Sequence, residues 1–185
     1  SGWRWTNSSG WWGRRRVSEA VSFAWRQRYA ADTNVPVDRS KAEIERILAR
    51  YGATEFASAW SGRTALVAFR AHDRMVKFTL PLPDPADKQY RHTPTGRVRR
   101  GAWGEDRARA AWEQDCRQRW RSLALAIKAK LEAVASGIAT FEQEFLAHIM
   151  LPDGRTVASW ISPQIAQAYR DGRVPKALMP GLEPR

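Results

Sequence analysis

Cysteine is almost missing from this chain: its 185 residues include one, Cys116. A single thiol excludes an internal disulfide framework and a cysteine-rich zinc site. Long apolar runs are missing as well. No stretch approaches the roughly 20 residues needed to span a bilayer, and the N-terminus lacks the unbroken apolar segment of a secretory signal. The expectation is a soluble cytoplasmic protein, not one integral to a membrane. Histidine is scarce, and His72, His92 and His148 show no ligand spacing such as H-x-x-x-H or H-E-x-x-H. Phosphate-loop, G-x-G-x-x-G and G-x-S-x-G patterns are also absent. Carboxylates are in the minority, 19 against 31 lysines and arginines, for a formal charge of +12. That imbalance says little about fold. It favours polyanionic partners: nucleic acid, an acidic protein surface or anionic lipid.

What is present is a series of well-punctuated elements. Residues 17–29 carry a partial apolar stripe (Val17, Val21, Ala24, Trp25) that suits a short helix. In SKAEIERILARYG, Ser40 and Glu43 have capping-box spacing. Ile44, Ile47, Leu48 and Tyr51 recur at helical intervals, and Gly52 is a natural stop. Three strand-like runs follow, TEFASAW, TALVAFR and RMVKFTLPL, separated by Ser61-Gly62 and His72-Asp73. Such short separations predict hairpins and an antiparallel meander. Pro81, Pro83 and Pro85 end the sheet, and DPADKQYRHTPTGRVRRGAWG reads as a loop, longer than ordinary connections. The longest helix is expected from Glu105 to Gly137, with Trp112, Cys116, Leu123, Ile127, Leu131 and Val134 as its apolar stripe. Thr140 and Gln143 cap a further helix, LPDGRTV marks a turn, and Ser162-Pro163 opens a final helix.

Together these predict an α+β fold: an N-terminal helix plus a three-stranded antiparallel meander, packed with a long helix and shorter C-terminal helices. Residues 1–35 read as a Trp/Arg-rich extension and linker. Residues 36–178 read as a single domain with a basic loop at 84–104, and residues 179–185 as a tail.

Several blocks carry a resemblance to a known group: RYAADTNVPVDRSKAEIERILARYGA, VAFRAHDRMVKFTLPLPDP, AWEQDCRQRWRSLALAIKAKLEAV and FEQEFLAHIMLPDGRTV. Over about residues 29–178 the chain resembles a family of small uncharacterised proteins of tailed bacteriophages and prophages. The resemblance implies a phage-derived protein working in the cytoplasm of an infected or lysogenic bacterial host. It implies no activity and transfers no catalytic residue. It also sets residues 1–28 outside the shared core. Trp3, Trp5, Trp11, Trp12 and Arg14 to Arg16 therefore read first as an added or upstream-extended segment, with Ser1-Gly2 as a cloning or protease scar. The alternatives for this segment are a nucleic-acid or partner arm, or a membrane-surface contact.

Catalytic signals are weak throughout. His72-Asp73 reads better as a hairpin turn than as part of a metal-dependent phosphohydrolase. Asp84 and Asp87 could hold magnesium, but two acids in a proline-rich loop read better as solvated surface. Cys116 falls on an apolar stripe and reads as a structural thiol. No catalytic residue, metal or cofactor is expected, and a metal-dependent nuclease is the least favoured reading.

The stronger signal is the basic segment. Lys88, Arg91, Arg97, Arg99 and Arg100 alternate with Tyr90 and Trp103, with no acidic residue between Lys88 and Gly104. Arginine and lysine supply phosphate contacts and counterion release, while aromatic rings offer stacking surfaces for unpaired bases. Arg117 and Arg121 on the long helix are candidates to extend that patch. The leading expectation is a non-enzymatic nucleic-acid-binding accessory protein acting in replication, recombination or transcription control. The alternative is a protein-interaction module or inhibitor that binds an acidic host or phage protein. Self-association through a sheet edge or helix faces is a further expectation, because a three-stranded sheet leaves open edges.

Overall fold

The computed structural model of the chain describes residues 30–93 and 95–173. The helix expected at 17–29, the Trp/Arg-rich segment and the C-terminal tail lie outside these residues.

The meander forms as its hairpin signals predict. Strands β1 (Glu55–Ser61), β2 (Thr64–Ala71) and β3 (Arg74–Pro81) form an antiparallel sheet in the order β1-β2-β3. The second turn places His72 at φ +50° and Asp73 at φ +57°. This left-handed pair matches the twist of the flanking strands. The first turn is Gly62-Arg63 rather than Ser61-Gly62, because Ser61 still pairs with Thr64. Period-two alternation sends Ala65, Val67, Phe69 and Ala71 of β2, with Val76 and Phe78 of β3, into the core.

Helix α1 (Val37–Arg50) starts three residues before the expected cap. Pro36 holds the N-cap position with extended backbone, and no side chain caps the first turn. Ser40 is therefore a buried helical residue in line with Ile44 and Leu48, and its hydroxyl has no hydrogen-bond partner among the described residues. Glu43 forms an ion pair with Arg121 instead of completing a capping box. The apolar face decides the outcome: burying Ile44 and Leu48 brings the residue one turn earlier inside as well. At the other end the chain turns at Gly52, φ +82°, as expected.

After the short helix α2 (Lys88–Arg91), α3 runs from Gly101 to Ala135. It starts ahead of the expected Glu105, so no acidic residue occupies its first turn. Trp120, Ala124, Ile127 and Leu131 of its buried stripe join Ile44 and Leu48 of α1 and the inner face of the sheet in one core, and Cys116 is buried on the same helix. The thiol of Cys116 is pushed up by burial, which suits a packing residue rather than a nucleophile.

Thr140 and Gln143 form the predicted capping box at α4 (Phe141–Phe145), with the Gln143 amide donating to Thr140 Oγ1 at 3.2 Å. The helix is shorter than expected and passes into a 3-10 turn, Leu146–His148. Phe145 packs edge-on against Phe69 and Phe78 at the centre of the core. Beyond it, Ile149 bridges Val76 and the Met150 amide donates to the Met75 carbonyl, so this segment covers part of the outer edge of β3. The last helix, α5 (Val157–Asp171), is capped by Thr156, not by Ser162-Pro163. Pro163 lies inside it and removes one i→i−4 hydrogen bond from the helix. The result is an α+β fold built on a three-stranded antiparallel sheet.

Candidate nucleic-acid interface

The segment expected to be a long loop is largely built. Asp84 receives Arg63 and the Ala86 amide, and α2 then supplies one turn of helix. The chain doubles back between His92 and Val98, which form an isolated bridge. The Thr93 amide donates to the Arg97 carbonyl at 2.8 Å, and the Arg97 amide donates to Thr93 Oγ1 at 3.1 Å. Gly101, at φ +74°, turns the chain into α3. Gly104 allows the close approach that follows: a Cβ there would lie 3.0 Å from the Arg99 carbonyl carbon and 3.1 Å from its Cβ. A side chain at this position would require the Arg99 backbone to give by a few tenths of an ångström.

This framework separates the predicted site residues into groups. Lys88, Arg91, Arg97 and Arg100 are exposed. Arg99 is half-buried, with its amide bound to the Arg91 carbonyl and its Nε donating to the His92 carbonyl. Among the described residues, no carboxylate pairs with any of the five. Trp103 is 70% exposed on the first turn of α3, and the Arg107 guanidinium lies 3.9 Å from its ring centroid. One face of the indole is thus already stacked on a cation.

Tyr90 corrects the sequence reading. It is buried, not displayed, and its hydroxyl donates to Asp115 on α3. Burial and the neighbouring carboxylate both push its phenol up. Tyr90 is therefore a strut fixing α2 to α3, and its ring is not accessible to a base. The aromatic rhythm of the segment could not reveal this, because its partner lies 25 residues away.

Arg117 and Arg121 are not brought to the cluster either. At 1.5 Å per residue, Arg117 lies about 25 Å along α3 from Arg100. Its guanidinium is bound by Gln114, with Glu113 at 3.8 Å. Arg121 crosses to Glu43 and joins α3 to α1. These cations serve helix packing. In their place the fold adds Arg107, against Trp103, and Arg109, beside Arg91 and Arg99, neither of which the sequence pattern singles out.

A cleft of about 530 Å³ opens between α2, the hairpin and the start of α3. Arg91, Arg99 and Arg109 line it with Val98 and Trp112, against one acid, Glu105. The Trp112 indole is held in place by donating to the Pro83 carbonyl at 2.9 Å. Such a surface can bind phosphate oxygens along its rim and receive a flat apolar group within. Among the described residues, no three His, Cys, Asp or Glu side chains gather as a metal site, and no helix is long and apolar enough to cross a membrane. Comparison with known proteins adds no relative: no family model, curated protein or solved structure matches the chain.

Proposed function

We propose that the chain is a non-enzymatic, nucleic-acid-binding accessory protein of phage type, gripping the phosphate backbone through the α2–hairpin–α3 surface. The observation that supports this reading is the set of exposed cations, Lys88, Arg91, Arg97 and Arg100, which no described carboxylate neutralises. Elsewhere some arginines are paired, Arg63 with Asp84, Arg70 with Glu55, Arg121 with Glu43 and Arg155 with Asp153. Others, such as Arg46 and Arg74, stand singly; what sets the cluster apart is its concentration in one short segment. A local concentration of unpaired guanidinium groups on ordered backbone is suited to polyanion contact. Trp103 supplies a stacking surface at its edge.

Retention of labelled single- and double-stranded DNA and RNA at rising salt tests the proposal. Binding at low ionic strength that weakens steeply with salt is expected; no binding at low salt would sink it. A second reading, a module that binds another protein, draws support from α5. That helix has no buried residue and exposes Ile165 and Tyr169. A stoichiometric protein partner that survives nuclease treatment would favour it.

A further inference from the structure

The two edges of the sheet are treated differently. The outer edge of β3 is met by Ile149 and Met150. Among the described residues, nothing pairs with the outer edge of β1. Edge strands are commonly guarded by lysine, proline or a bulge. This chain has 31 lysines and arginines and 10 prolines, yet β1, EFASAWS, contains none of them. Its only charge, Glu55, is paired within the sheet with Arg70 at 2.7 Å.

Hydrogen-bond parity shows what β1 presents. The Leu82 amide donates to the Arg63 carbonyl, so odd-numbered residues of β2 bond to β3 and even-numbered ones to β1. With Thr64 opposite Ser61, Leu66 opposite Ala59 and Ala68 opposite Ala57, the groups left pointing outward belong to Phe56, Ser58 and Trp60. The sequence F-A-S-A-W is symmetric in side-chain size about Ser58. An antiparallel copy centred there places Ser58 opposite Ser58 and Phe56 opposite Trp60 on both sides of a two-fold axis. All three outward-facing residues then meet their counterparts as hydrogen-bonded pairs.

The aromatic pairing also accounts for an exposed tryptophan. Trp60 is 77% exposed, although it lies on the same sheet face as Phe56, opposite the buried Ala65. Phe56 packs against the core cluster and is itself half-buried. Pairing across the axis would set each Trp60 beside the other copy's Phe56 and extend the core through the joint.

We infer that β1 is a self-association edge, and that two copies of this chain pair through it, centred on Ser58, to form a continuous six-stranded sheet. The inference is independent of the nucleic-acid reading, since β1 holds none of the cationic cluster.

The test combines mass measurement with site-directed crosslinking of the full chain. Wild type is expected at twice the 21.1 kDa chain mass in light scattering. Ser58→Pro deletes an outward amide without touching the ladder to β2 and should give a folded monomer, as should Trp60→Lys. Paired residues at the axis have Cα atoms about 5.5 Å apart, within disulfide range. Ser58→Cys should therefore yield a covalent dimer under mild oxidation, whereas Ala57→Cys, on the other face and off the axis, should not. Should Ser58→Pro fail to fold, the crosslink and Trp60→Lys decide. A monomeric wild type would overturn the inference. So would a dimer that ignores Trp60→Lys and shows no Ser58→Cys crosslink. A monomer that dimerises only once residues 1–29 are removed would assign the edge to that segment and overturn it equally.

Discussion

Tyr90→Phe removes one oxygen from a buried ring and leaves its packing in place. In the native protein that oxygen donates to the half-buried Asp115 carboxylate and joins α2 to α3. A hydrogen bond to a charged group is worth about 1.5–3 kcal/mol, and its loss also leaves the acceptor short of a donor. For a chain of this size, roughly 2–4 °C of melting temperature accompany each kcal/mol. The expected fall is therefore about 3–12 °C, measured by thermal unfolding followed by circular dichroism. A double-mutant cycle with Asp115→Ala should show coupling of about 1 kcal/mol or more. The cationic surface rests on α2, so nucleic-acid affinity should fall only as far as that helix loosens. A Tyr90→Phe protein within about 0.5 kcal/mol of wild type, with an additive cycle, would refute the strut and restore the ring to candidacy as a stacking platform.

Gly104→Ala should displace the hairpin, because its Cβ would press against the Arg99 backbone. Overpacking of this kind costs about 1–3 kcal/mol, and urea titration together with amide exchange at 92–99 should register it. Phe145→Ala empties the fully buried centre of the core and should cost about 3–5 kcal/mol in denaturant unfolding. His148 stacks on Phe78 at 4.0 Å, and burial, then the Lys130 charge, lower its pKa from the ordinary histidine value of 6.5. The unfolded chain therefore binds this proton more readily than the folded one. Its effect is nil well above pH 6.5, and stability falls as pH drops from there through the depressed folded value. His148→Gln should flatten that limb of a stability–pH profile, and an unchanged limb would contradict the assignment.

Much of the fold was legible because its signals are local. His72-Asp73 needs only its two flanking strands, Gly52 only its helix end, and Thr140 with Gln143 carry their cap in four residues. The failures occur where distant contacts decide. Ser40 and Glu43 have a capping-box spacing, but the face that packs on α3 draws Ser40 inside, while Arg121 takes Glu43 from 78 residues away. Ser162-Pro163 yields to Thr156, whose hydroxyl accepts from the Ser159 amide a turn earlier. The candidate site divides in the same way. The exposed arginines followed from composition, since nothing nearby could pair with them. Tyr90 and Arg121 were misplaced because Asp115 and Glu43 fix them through tertiary packing, which spacing does not record. Arg117, by contrast, is held by Gln114 and Glu113 one turn earlier on its own helix, a pairing that helical spacing does carry.

The salt dependence of binding, compared between wild type and Arg91→Gln/Arg97→Gln/Arg100→Gln, tests the proposed function most directly. One phosphate at each of Lys88, Arg91, Arg97 and Arg100 gives a slope of log affinity on log salt of about −3.6 for duplex DNA or −2.8 for a single strand. Between 50 and 200 mM salt, affinity should then fall roughly 150-fold or 50-fold. The triple variant should remain folded and lose about three-quarters of that slope. A slope left unchanged by the three substitutions, or no binding by wild type at the lower salt, would contradict the account.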